Sequence, residues 1–116
     1  MNKYLLMLRG GEFQNYTQAE MASILKRYID WGNELRERGI YVAGEELKES
    51  GRVLSGRDGQ VVDGPFAETK EAVGGFYLFE AANYDEAVEI ARGCPHLSFS
   101  GDVEIREINA HADDHE

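Results

Sequence analysis

Two segments of this chain are apolar on both sides. From Lys3 to Leu8, Tyr4, Leu6 and Leu8 point one way and Leu5 and Met7 the other; from Ala72 to Glu80, Phe76 and Leu78 oppose Tyr77 and Phe79. A strand half-covered by its own domain alternates apolar with polar, whereas these strands ask for cover on both faces. Only two stretches of the 116 residues read as amphipathic helices, and two helices cover one face of a sheet. Apolar patches of the size left over are unusual on monomers. The least demanding cover is a second copy of the chain, so a homodimer is expected.

The helices carry their own punctuation. Thr17-Gln18-Ala19-Glu20 has capping-box spacing, and Met21, Ile24, Leu25, Tyr28, Trp31 and Leu35 recur at helical intervals behind it. Arg36 and Arg38 suit the end of that helix, and Gly39 can terminate it. Asn83-Tyr84-Asp85-Glu86 opens the second helix, with Tyr84, Ala87, Val88 and Ala91 on its apolar side and Gly93-Cys94-Pro95 as the stop. Between the helices lie a strand at Ile40–Ala43 and a small ribbon, Val53-Leu54 and Val61-Val62 around the hairpin signal Asp58-Gly59. Val103–Ile108 closes as a strand. The order is strand, helix, strand, ribbon, strand, helix, strand. With the ribbon as an insertion, this is an α+β chain with the ferredoxin-like split β-α-β arrangement. Residues 1–108 form one domain, and 109–116 read as a mobile acidic tail.

Composition narrows the function. Twelve Lys and Arg against 22 Asp and Glu leave a net charge of −10, which repels phosphate backbones and anionic lipid, so neither nucleic acid nor membrane is an expected partner. One cysteine excludes an internal disulfide. The apolar run at Tyr4–Leu8 is too short for a signal peptide or a spanning helix, which makes the cytoplasm the expected address. No phosphate-cradling glycine loop, nucleophile elbow or closed zinc-ligand set is present, so no cofactor and no metal are expected.

Asp63 to Glu71 reads DGPFAETKE and runs into Ala72-Val73-Gly74-Gly75-Phe76. Together with Tyr4–Leu8, Gly44-Glu45, Gly93-Cys94-Pro95 and Val103–Arg106, this string resembles the DGPF branch of the YciI-like (YCII-related) proteins. The resemblance covers nearly the whole chain outside the tail. It implies a dimeric α+β barrel in which two ferredoxin-like subunits pack sheet to sheet, with a cleft near the dimer interface. It also implies an association with extracytoplasmic-function sigma factor systems, although this chain has no sigma-factor domain. Better-known relatives suggest a His–Asp pair as active centre. Here His96 is the only histidine before the tail, and its place after the second helix does not carry that pair over.

The candidate catalytic residues are Asp63, at the lip of a Gly-Pro turn, Glu45, at the end of a buried strand, and Glu68. Glu45 inside a barrel would be desolvated or paired with Arg9, Arg52 or Arg57. Phe66, Lys70 and His96 are the candidate ligand-binding residues, Lys70 for an anionic group. Each has a structural alternative: Asp63 as a turn cap, Phe66 as packing, Glu68 and Lys70 as a solvated charged face. Cys94 beside His96 lacks an evident third group to orient the imidazole and reads as a buried thiol. Two functions stay open. One is a small-molecule-binding homodimer with cofactor-free acid–base chemistry; the other is a non-catalytic regulatory or interaction module.

Overall fold

A computed structural model describes residues 1–64 and 73–111. Its first strand, β1 (Asn2–Gly10), leads into α1 (Gln18–Glu37), β2 (Tyr41–Glu46), the ribbon strands β3 (Leu54–Arg57) and β4 (Gln60–Asp63), β5 (Val73–Ala81), α2 (Tyr84–Ala91) and β6 (Gly101–Glu107). A 3-10 turn at Pro95–Phe99 links α2 to β6. The main sheet has the order β2-β5-β1-β6 with every neighbouring pair antiparallel, which is the ferredoxin-like order once the ribbon is set aside.

Local chemistry explains the boundaries. The Thr17 hydroxyl accepts from the Glu20 N–H at 3.1 Å while the Glu20 carboxylate accepts from the Thr17 N–H at 2.8 Å, the reciprocal capping box expected from the spacing. The Asn83 side chain accepts from the Glu86 N–H at 2.9 Å and starts α2. Asp58 and Gly59 both take positive φ, as the tight hairpin turn between β3 and β4 requires.

The sheet has a covered face and an open one. Tyr4, Leu6, Leu8, Tyr77, Phe79 and Ala81 lie beneath the helices and are buried, meeting Trp31, Leu35, Ala87 and Ile90. Trp31 stands edge-on to the Tyr77 ring at 4.8 Å. Leu5, Met7, Phe76 and Leu78 alternate with these residues and occupy the other face, where they are only half-buried. The helical faces differ in detail from their periodicity. Leu25 and Val88 turn to solvent, Tyr84 is half-exposed with its hydroxyl accepting from the Glu107 N–H, and Ile90 is buried instead. Both helices are rotated by the sheet they lie on, so the residues they bury are set by the contact line and not by hydropathy alone.

Candidate functional site

β1 and β2 end, and β5 and β6 begin, at one end of the sheet. The β1–β5 register shifts between Leu8 and Arg9, a bulge of the kind that re-aims side chains at functional ends of sheets. Beneath it a chain of hydrogen bonds runs through the core. The Tyr77 hydroxyl donates to the Tyr28 carbonyl at 2.7 Å. His96 Nε2 lies 2.9 Å from the Arg9 carbonyl, and His96 Nδ1 lies 2.9 Å from the Tyr28 hydroxyl. A carbonyl only accepts, so Nε2 carries a hydrogen, and in the tautomer with its hydrogen there alone Nδ1 accepts from the Tyr28 hydroxyl. Phe13 stacks on the ring, Tyr28 meets it edge-on, and a Cβ on Gly101 would collide with it. His96, expected to touch a ligand, is buried with both nitrogens engaged: its surroundings make it a strut under the Arg9 backbone. The orienting group that the sequence did not reveal is Tyr28, 68 residues away along the chain.

On the open face, strand register lines up side chains in rows. Glu45, Phe76, Met7 and Glu104 stand in one row across the four strands, and Ala43, Leu78, Leu5 and Arg106 in the next. Arg9 stands on β1 one step beyond Met7 on the same face, with Asp102 opposite it on β6. Arg9 Nη1 pairs with Glu104 Oε1 at 3.3 Å, and Arg106 Nη1 approaches Glu104 Oε2 at 3.6 Å, so one carboxylate bridges two guanidinium groups. Arg9 Nε is shielded from solvent and has no acceptor among the described residues. Glu45, at the far end of the row, is exposed and makes no ion pair among the described residues. The sequence suggests Arg9 as a pairing partner for Glu45; in the structure Arg9 pairs with Glu104, a contact set by the β1–β6 register.

The remaining candidates separate from this row. Asp63 sits at the base of the ribbon, where its carboxylate is gripped by the Arg52 guanidinium through Nη2 and, at 3.4 Å, Nε. The Gly64 N–H donates to the Val53 carbonyl at 2.6 Å beside that pair. Phe66, Glu68 and Lys70 lie outside the described residues. Cys94 is buried, and burial pushes its thiol up to about 11 despite the hydrogen bond from the His96 backbone, which acts the other way. Burial also raises the Tyr28 and Tyr77 hydroxyls well above the usual phenol range. A shallow groove of about 430 Å³ between α1 and the 3-10 turn is lined by Arg27, Asp30, Glu34 and Arg92 with Cys94 at its base. Among the described residues no cluster of three or more His, Cys, Asp or Glu side chains could hold a metal, and no described helix is long and apolar enough to cross a membrane.

A model of the YCII-related domain matches residues 4–110, from within β1 past the end of β6. The chain belongs to the YCII-related family. The uncharacterised protein R00369 of Rhizobium meliloti (strain 1021) is 49% identical to it over 49 residues. That match spans 41% of this chain and 40% of the relative. Membership accounts for the α+β architecture and for the strand–turn landmarks. It assigns no reaction, because this relative is itself uncharacterised.

Proposed function

We propose that this YCII-related chain is a small-molecule-binding homodimer, with its cleft on the open face of the sheet and Glu45 as the group able to move a proton there. One observation carries the reading: a carboxylate with no ion pair among the described residues stands in register with Phe76 and Met7 on a face that neither described helix covers. Of the four half-buried side chains on that face, Leu5 and Leu78 supply area for two-fold pairing, each worth at most about 1.5–3 kcal/mol when fully buried, while Met7 and Phe76 stand in the Glu45 row and line the cleft. Pairing through one patch on both copies closes the assembly. A dimeric α+β barrel of this kind encloses the Glu45 row and turns an open face into a cleft. Asp63 is the weaker proton carrier, because Arg52 already engages it. Phe66, Glu68 and Lys70 follow the ribbon in the sequence and are proposed to contribute to the cleft.

The alternative, a regulatory or interaction module of the kind found with extracytoplasmic-function sigma factors, draws on a different observation. Leu54 and Val61 share one face of the ribbon and are 67% and 73% exposed, an apolar strip suited to a protein partner. Native mass spectrometry of the purified protein separates the two readings. A dimer of twice 13.0 kDa that carries a co-purified small molecule is the expected result. A bare monomer overturns the homodimer, and a ligand-free dimer that needs Leu54 and Val61 to hold a protein partner favours the module.

A further inference from the structure

We propose that the ligand of the open face is a small organic anion with an apolar body, and that Arg9 takes its carboxylate. The inference rests on the cleft proposed above and names the class of molecule it holds. Arg9 Nη1 is occupied by Glu104, which leaves the Nε–Nη2 edge of the guanidinium, the edge that matches a carboxylate with two parallel hydrogen bonds. Nε on that edge has no acceptor among the described residues and is shielded from solvent in the present rotamer, so an incoming oxyanion that draws the guanidinium outward satisfies that donor.

The setting is built for this. The His96–Arg9 hydrogen bond and the unbroken β1–β6 register through Arg9 fix the backbone from which the side chain springs. Arg9 and Arg106 flank the single carboxylate of Glu104, and Asp102 opposite Arg9 makes no ion pair with it. Arg9 and Arg106 offset Glu104 and Asp102 one for one, so this end of the sheet opposes an anion less than a chain of net charge −10 does on average. Met7 and Phe76 lie next along the face and receive the apolar body. From Arg9 to the Met7 row is about 6.7 Å along the strand, and from Met7 to Glu45 is about 9.6 Å across two strand spacings. A molecule of benzylic size anchored at Arg9 therefore lies over Phe76 with its far end toward Glu45.

Phenylacetate and its neutral isostere phenylacetamide are the probes, titrated into the intact protein and followed by the side-chain N–H signal of Arg9 and the methyl of Met7. Phenylacetate is expected to bind at least about tenfold more tightly, a preference that weakens with added salt as expected for a charge-assisted contact. Arg9→Gln should erase the preference while leaving phenylacetamide binding and the assembly mass unchanged, and Arg9→Lys should keep part of it. Equal binding of the two probes, binding of neither, or a preference that survives Arg9→Gln overturns the proposal. So does a dimer that falls apart in Arg9→Gln, since the missing acceptor then belongs to the second copy. A monomeric wild-type protein that still discriminates through Arg9 would sink the homodimer and leave Arg9 standing.

Discussion

The two faces of the main sheet are made of alternate residues of the same strands, yet they are finished to different degrees. On the covered face Tyr4, Leu6 and Phe79 are wholly inaccessible, and its polar atoms are tied off: Tyr4 donates to Glu107 at 2.9 Å and Tyr77 to the Tyr28 carbonyl. On the open face Leu5, Met7, Phe76 and Leu78 are half-buried, and among the described residues Arg9 Nε has no acceptor and Glu45 no ion pair. The difference teaches where stability ends and function begins. A satisfied, close-packed face holds the chain together, and a face with unmet donors and partly wet apolar groups is disposed to bind.

The largest test of that contrast removes the same side chain from each face. Leu6→Ala should cost about 2–5 kcal/mol of unfolding free energy, because a fully enclosed methylene cluster leaves a cavity. Leu5→Ala, one residue earlier, should cost well under that when urea unfolding is followed at a concentration low enough to separate copies. Equal losses would mean that the faces are equally finished.

Alkaline pH probes the covered face alone. The Cys94 thiol is raised from 9.0 to about 11, so the folded state binds its proton more tightly than the unfolded chain does. The stabilisation is whole below pH 9 and is lost as pH rises toward 11, amounting to about 2–3 kcal/mol at most, and the raised Tyr28 and Tyr77 hydroxyls act in the same direction. Denaturation midpoints between pH 8 and 11 should fall, and Cys94→Ala should flatten part of the fall. A midpoint independent of pH across that range would contradict the burial.

Tyr28→Phe leaves His96 Nδ1 without a donor in a buried setting and should cost about 1–3 kcal/mol, read by thermal or urea unfolding. The same variant should loosen the end of β1, visible as faster amide exchange near Arg9, while the far end of the sheet keeps its protection. If exchange rises evenly along β1, the strut beneath Arg9 is not local.

The smallest effect is expected at the ribbon. Arg52 and Asp63 are exposed, and Asp63→Asn should cost under about 1 kcal/mol in urea unfolding. A loss comparable to that of Tyr28→Phe would show that the ribbon is integral to the fold and not an appendage of it.

What the chain determines by itself is whatever depends on neighbours a few residues away. The Thr17–Glu20 box, the Asn83 cap, the Asp58-Gly59 turn and the two-sided alternation of Leu5–Leu8 and Phe76–Phe79 all act over short separations, and each is found where the sequence places it. Alternation says that a strand has two apolar sides without saying which one the helices take. Only the crossing of α1 and α2 over Tyr77 and Phe79 decides it, and the same crossing turns Leu25 out and Ile90 in. The site depends on tertiary structure still more. Glu45, Phe76, Met7 and Glu104 are scattered over 98 positions and become a row through strand register. His96 becomes a strut because the 3-10 turn carries it between Tyr28 and Arg9. Contacts of that kind are set by how strands pair and helices cross, and hydropathy along the chain carries no record of register between strands.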